Sequence, residues 1–140
     1  MKLNPDCIRD VLLYLEEHLH IEDRNKLSKI DLKELKEKLS QYSEDDIFYS
    51  VYNLHQIRFI EGRINDTGDR KMFFCEINNI TWDGHQFLNT IRPDTVWQAT
   101  KKGASKIGLM SMHALSSIAM KVAETIISDP SVIAKIVSML

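Results

Sequence analysis

The chain has 140 residues, of which 44% are hydrophobic and 27% are charged, and its formal net charge is −2. This length fits one soluble globular domain and excludes two of ordinary size, and the near-neutral charge excludes a strongly basic nucleic-acid binder. Cys7 and Cys75 are too few for a disulfide framework, and polar residues from Asn4 to Asp10 interrupt any secretory signal. We therefore expect a cytoplasmic protein with reduced thiols.

Helical signals occupy the first forty residues. Asn4 is a suitable N-cap and Pro5 suits the first helical position, so a helix is predicted over residues 5–18, where leucine and isoleucine recur at helical spacing. Asp31 and Glu34 resemble a capping box, which predicts the start of a second, short helix. Each of these helices would present one apolar stripe to a core.

A third helix is predicted after Ser43, which again has an acidic residue at the third helical position. At about 100° per residue, Ile47, Val51 and Leu54 fall on one face and predict its buried side. The opposite face carries polar and aromatic side chains that we expect to be exposed: Tyr49, Tyr52, Asn53 and Gln56.

The pattern changes to strands after the third helix. Residues 59–64 and 71–77 are rich in β-preferring residues and flank a polar turn over 65–68, so they predict a hairpin. A short helix is expected next, capped by Thr81 and ending near Pro93.

The C-terminal forty residues form a distinct segment. Residues 101–140 carry five Lys and Arg against two Asp and Glu, whereas the first sixty residues carry nine against twelve. A long helix is predicted over 104–128 and a final helix over 131–139. The apolar arc of the long helix is about twice as wide as a surface helix needs. Its members are the candidate dimer interface: Ile107, Met110, Ala114, Leu115, Ile118, Val122 and Ile126.

The excess apolar surface of this helix has three candidate covers, which are the chain's own core, a second copy of the chain and a membrane surface. Lys106, Lys121 and Glu124 argue against a transmembrane segment, since each charge at the bilayer centre costs about 2.5–3.5 kcal/mol. Binding at a membrane interface stays open. We favour a homodimer with isologous packing of these helices.

The order of elements predicts an α+β, mostly helical fold. Three helices, a hairpin and a further helix give the order of a winged helix-turn-helix over residues 1–92, and a helical extension follows over 93–140. The short connection between the second and third helices suits helix-turn-helix geometry. The predicted hairpin would be the wing.

Several segments carry a resemblance that extends over nearly the full chain. They are Met1 to Asp6, Arg9-Asp10, Leu15-Glu16, Ile80 to Leu88 and Ile91 to Trp97. In these segments the chain resembles a bacterial and phage family described as domain of unknown function 2513. The segment Ile80 to Leu88 is also similar to one that often follows the wing in bacterial winged-helix proteins. The resemblance supports the fold, and no activity, cofactor or catalytic residue comes with the family.

Two functional interpretations follow for a non-enzymatic accessory protein of phage or mobile-element type. One places a protein partner on the third helix and wing, and the other places DNA there, as in a transcriptional regulator. The acidic residues Glu44 to Asp46 would meet DNA phosphates unfavourably, which favours a protein partner. Both interpretations use the same candidate contacts: Tyr49, Tyr52, Asn53, Gln56, Arg63, Arg70 and Lys71.

No motif for catalysis or metal binding is found in the sequence. The five histidines do not combine with cysteines or carboxylates at the spacing of a zinc or iron site. The five glycines are scattered and form no phosphate-binding loop, and no serine or cysteine lies in a recognisable nucleophile motif. We therefore expect no enzyme, no metal and no cofactor.

Overall fold

The computed structural model describes residues 1–65 and 74–129, together with residues 131, 134, 135 and 138. Within these residues the fold is α+β, with six α-helices and two small antiparallel sheets. The chain divides into two compact units, Met1–Leu88 and Asn89–Leu140. The sequence placed the division at 92/93.

The elements are numbered in chain order. The helices are α1 (Pro5–His18), α2 (Leu32–Lys38), α3 (Glu44–Gln56), α4 (Trp82–Ile91), α5 (Asp94–Ile107) and α6 (Met112–Ser128). The strands are β1 (Ile21–Glu22), β2 (Lys26–Leu27), β3 (Ile30–Asp31), β4 (Ile60–Asn65) and β5 (Phe74–Ile80).

The first three helices begin where the capping residues predict. Asn4, Asp31 and Ser43 each accept a hydrogen bond from the backbone N–H three residues later, at 3.2, 2.8 and 3.1 Å respectively. Each bond satisfies one of the N–H groups that have no partner in the first helical turn. The predicted starts of α1, α2 and α3 are confirmed.

The core of the first unit forms where α1 packs against α3. The apolar stripes predicted for both helices are fully buried except for Leu19, which follows the end of α1 and is half-buried. Burial removes each aliphatic side chain from water at a gain of about 1.5–3 kcal/mol. The fully buried side chains are Ile8, Leu12 and Leu15 from α1, and Ile47, Val51 and Leu54 from α3.

Two short pieces of strand structure were not predicted. β3 pairs with β5, so the main sheet has the order β3–β5–β4 with all pairs antiparallel. β1 and β2 pair with each other in a small hairpin that is inserted between α1 and β3. Each of these strands has two residues, which is too short for an alternating pattern to appear in the sequence.

A β-bulge sets the register of β5. Glu61 pairs with Asn79 and Gly62 pairs with Ile77, so Asn78 is an extra residue on β5. Because of this extra residue, Ile77 and Ile80 both point into the core although they are three positions apart. Gly62 is required at this point, since a Cβ on it would lie 2.0 Å from the Glu76 carbonyl oxygen.

At the junction between β5 and α4, Thr81 and Gly84 contact the backbone that leads into β4. The Thr81 hydroxyl donates to the Arg58 carbonyl oxygen at 2.7 Å and accepts from the Gly84 N–H at 3.1 Å. The predicted cap at Thr81 is confirmed. A Cβ on Gly84 would lie 2.2 Å from the Phe59 carbonyl oxygen, so α4 approaches this backbone too closely for a side chain.

The single long helix predicted over 104–128 is wrong. α5 ends at Ile107, followed by Gly108 in the left-handed conformation at φ 76°. Ser111 then caps α6 by accepting from the Ala114 N–H at 3.1 Å. A left-handed glycine followed by a serine N-cap ends one helix and starts another, and α5 packs against α6 as a helical hairpin.

Two predicted elements lie wholly or largely outside the described residues. The first is the tip of the hairpin, which includes most of its turn over 65–68 and the first part of the strand over 71–77. The second is the final helix over 131–139. Among the helices that are described, none combines the length and hydropathy needed to cross a bilayer.

We predict that Gly84→Ala lowers the free energy of unfolding by about 1–3 kcal/mol, because the added methyl group must displace the Phe59 backbone. Urea unfolding followed by circular dichroism measures the change. Gln86→Ala, at an exposed position of the same helix, is the control and should change stability by less than about 0.5 kcal/mol. Equal midpoints for the two variants would contradict the close approach.

Candidate functional site

The outward face of α3 carries a cluster of aromatic rings. Tyr49 and Tyr52 are stacked with ring centroids 6.5 Å apart and planes at 7°, and Phe48 stacks on Tyr52 at 6.1 Å. All three side chains are half-buried, so the prediction that Tyr49 and Tyr52 are exposed is wrong in part, because the stacked rings cover one another. The rings support one another in fixed positions, so this face can bind a partner with little loss of side-chain entropy. We call Phe48, Tyr49 and Tyr52 the aromatic face.

The two amide side chains predicted beside the tyrosines are Asn53 and Gln56. Asn53 donates its Nδ2 to the Tyr49 carbonyl oxygen at 2.7 Å, a bond within its own helix. This bond occupies one amide proton and orients the side chain along α3, which disfavours the bidentate contact to a base edge expected of a DNA-reading asparagine. Gln56 is exposed at the end of α3.

The first turn of α3 is negatively charged. Asp46 accepts a hydrogen bond from Asn4 Nδ2 at 3.1 Å and so joins the start of α3 to the cap of α1. Glu44 and Asp45 are exposed, and Glu44 lies 3.9 Å from Lys36, a distance at which an exposed ion pair contributes little. The end of the helix that would approach a DNA groove is therefore acidic.

Arg63 is on β4 and is not part of the aromatic face. It belongs to a row of charged side chains that crosses the main sheet. The register aligns Asp31, Glu76 and Arg63 on neighbouring strands. Lys29 Nζ lies 3.2 Å from Glu76 Oε2. A cleft of about 430 Å³, which we call the cationic cleft, is lined by Lys26, Leu27, Lys29, Arg63, Glu76 and Asn78. The other two predicted basic contacts, Arg70 and Lys71, lie outside the described residues.

The sequence analysis did not identify Lys26 and Lys29 as candidate contacts. They face Arg63 only because the β1–β2 hairpin and β3 lie beside β5, and neither element was predicted. The sequence contains a weak indication of the β1–β2 hairpin, since the polar turn Asp23–Asn25 is flanked by Ile21 and Leu27, which pair across the hairpin.

The candidate dimer residues do not share one surface. Leu115 is fully buried within the chain, so its assignment to a dimer interface is wrong. Ile107 is 61% exposed and Met110 is exposed, but both precede α6. The remaining four are half-buried on α6: Ala114, Ile118, Val122 and Ile126. Among the described residues of the second unit, the exposed large apolar side chains that the sequence analysis did not select are Leu109, Met120 and Ile127.

The thiols of Cys7 and Cys75 lie in the core and have low reactivity. Burial raises the pKa of the Cys7 thiol to about 11 and that of Cys75 to about 12. A thiol with such a pKa is almost fully protonated at neutral pH and is a poor nucleophile. Within the described residues, no group of three or more histidine, cysteine or carboxylate side chains is arranged to hold a metal ion.

The comparisons with known proteins identify a family. The family model described as "Hypothetical protein (DUF2513)" matches residues 2–110, and the chain belongs to this family. A protein of Haemophilus influenzae described as "Uncharacterized protein" is 30% identical over 130 residues, which cover 92% of this chain and 98% of that protein. No solved structure matches the chain. The family resemblance predicted from the sequence is confirmed.

We predict that the protein becomes less stable as the pH rises above about 9. Burial raises the pKa of Cys7 and Cys75 from 9.0 to about 11 and 12, and that of Tyr14, which donates to Glu34, from 10.0 to about 12. The unfolded chain therefore releases these protons first. The stability that they contribute is complete below pH 9 and is lost as the pH rises through the folded values.

Urea midpoints at a series of pH values between about 7 and 11 measure this loss. Cys75→Val removes one of the titrating groups, so its midpoint should fall less steeply with pH than that of the unmodified chain. A midpoint that stays constant up to pH 11 would contradict the pKa values of these groups.

Proposed function

We propose that this chain is a non-enzymatic, cytoplasmic accessory protein of phage or mobile-element type that acts by binding a macromolecule. In this proposal the first unit is a winged helix-turn-helix whose third helix binds a protein partner. The phage or mobile-element character rests on the family resemblance, and the binding role rests on the aromatic face of α3.

The proposed winged-helix fold is supported by the topology of the first unit. The helices and main-sheet strands follow one another as α1, β3, α2, α3, β4 and β5, and the sheet has the order β3–β5–β4. In a winged helix-turn-helix, one short strand between the first two helices pairs with a hairpin that follows the third helix. The hairpin β4–β5 corresponds to the wing, and α3 corresponds to the recognition helix.

The observation that carries the protein-binding proposal is the combination of aromatic and acidic groups on α3. Stacked, half-buried tyrosines are typical of protein interfaces, where they supply contact area at low entropic cost. Glu44 and Asp45 are exposed at the N-terminal end of the same helix, where a DNA-binding helix would meet phosphates. An acidic first turn opposes DNA and suits a partner with basic or neutral side chains.

The alternative is a transcriptional regulator that binds DNA through α3 and the wing. It is favoured by the fold and by the exposed Arg63 on β4. Because the first unit carries twelve Lys and Arg against seventeen Asp and Glu, such binding would have to rely on locally placed cations.

We predict no saturable binding of the full chain to a random-sequence DNA duplex, measured by fluorescence anisotropy at about 50 mM salt, because α3 presents carboxylates to the phosphates. A photo-crosslinking amino acid placed at Tyr52 should instead give a discrete protein adduct in cells. The adduct should resist nuclease and be lost when Tyr49→Ala is added. The control position is Glu37, an exposed residue of α2.

Two results would contradict the protein-binding proposal. One is DNA binding whose affinity falls steeply with salt concentration, as expected when several cations meet phosphates. The other is an adduct at position 52 that nuclease removes. Both would favour the regulator.

We further propose that the second unit mediates a homodimer. Among the described residues of this unit, five large apolar side chains are exposed to solvent, which supports an interaction site on this unit. A second copy is a natural occupant, because an isologous interface buries the same patch on both chains. These side chains are Ile107, Leu109, Met110, Met120 and Ile127.

We predict that the full chain sediments as a dimer at micromolar concentration and that Met120→Glu shifts it to a monomer. A glutamate at this exposed position would be buried without a partner in the dimer, and it costs little in the monomer. Lys121→Glu, at the neighbouring exposed position, is the control for the added charge. A monomeric full chain at high micromolar concentration would overturn the dimer.

A further inference from the structure

A second cavity lies beside the cationic cleft in the first unit. This apolar pocket has a volume of about 240 Å³ and lies between the end of α1, the β1–β2 hairpin, the end of β5 and the start of α4. It is lined by Leu15, Glu16, Leu19, His20, Ile21, Leu27, Asn78, Asn79, Ile80 and His85. Leu27 and Asn78 line both cavities, so the apolar pocket and the cationic cleft are adjacent, and we call the two together the groove.

The cationic end of this groove has an excess of positive charge. It contains Lys26, Lys29 and Arg63 and a single carboxylate, Glu76, which is paired with Lys29. In the part of the chain that is described, neither Lys26 nor Arg63 lies within ion-pair distance of a carboxylate. The surrounding unit has a net negative charge, so this concentration of cations is local and suits an anionic group on a ligand.

The apolar end is bordered by hydrophobic side chains that project into solvent. Ile21 is 68% exposed and Leu27 is also exposed, and they pair across the β1–β2 hairpin. Trp82 is 77% exposed and lies three residues before His85 on α4, so both occupy the same side of that helix. Tryptophan and isoleucine in such positions are costly in water and gain stability when a partner covers them.

The bulge residue Asn78 lies where the two ends of the groove meet. The extra residue interrupts the β4–β5 ladder at this point and places the Asn78 side chain at the lining of both cavities. Bulges recur at positions where a strand redirects a side chain toward a functional site. An amide at this position can bond to the backbone of an extended ligand.

We propose that this groove binds a short peptide segment of a protein partner, in which an aliphatic or aromatic side chain is adjacent to one or two carboxylates. The apolar side chain would enter the pocket between Ile21, Leu27 and His85, and the carboxylates would lie on the cationic cleft. The groove is bordered by the projecting side chains of Ile21 and Leu27, which suits a peptide segment. It is a separate site from the aromatic face and is tested independently of it.

Selection from a random peptide library displayed on phage, with the purified full chain as target, tests the proposal. We expect the selected peptides to share a hydrophobic residue next to aspartate or glutamate. A synthetic peptide of that consensus should bind with a Kd that Lys29→Glu and Ile21→Ser each raise about tenfold. Lys33→Glu on α2, an exposed position outside the groove, should leave the Kd unchanged.

Several outcomes would overturn the proposal. They are a selection without a consensus, a consensus rich in lysine and arginine, or a Kd that does not respond to the two groove variants. Binding to vesicles of equal phosphatidylcholine and phosphatidylserine that both groove variants abolish would make a lipid surface the occupant instead. Unchanged peptide binding by Tyr52→Ala separates this result from the test of the aromatic face. Circular dichroism and urea midpoints verify that the variants are folded.

Discussion

The pairing of β5 with two neighbouring strands is the interaction on which the first unit depends. β5 pairs with β3 on one side and β4 on the other, and it leads directly into α4. Its bulge at Asn78 allows Ile77 and Ile80 to reach the same core, and its close contact with Gly62 leaves no space for a side chain on β4. Because Thr81 and Gly84 then hold the start of α4 against the backbone at Arg58 and Phe59, the sheet and this helix start form one framework.

This framework separates the charges of the first unit into different surfaces. The start of α3 is acidic, whereas the cleft beside β5 collects Lys26 and Lys29 from one part of the chain and Arg63 from another. A net charge of −2 for the whole chain therefore describes neither surface. Electrostatic attraction of a partner depends on the local arrangement, since charges more than about 10 Å apart are largely screened at physiological salt.

Local signals predicted the helix starts at four capping residues and the pairing of β4 with β5, but not the start of α6, where Ser111 is the cap. Asn4, Asp31, Ser43 and Thr81 each bond to the backbone three residues later, so their positions could be read from neighbouring residues alone. The same reasoning failed at Gly108, where the apolar periodicity continues through a helix end. Apolar periodicity shows which residues are apolar. It does not show that a left-handed glycine ends one helix and changes the direction of the chain.

The sequence by itself determined the starts of α1 to α4, the buried faces of α1 and α3, the hairpin and the family. Each depends on residues within a few positions of one another or on the pattern of the whole chain. Only the tertiary structure decided that Leu115 is buried, that Asn53 bonds to its own helix, and that Lys26 and Lys29 face Arg63. These features depend on contacts between residues that are distant in the chain, or on the choice among several bonds that one side chain can make.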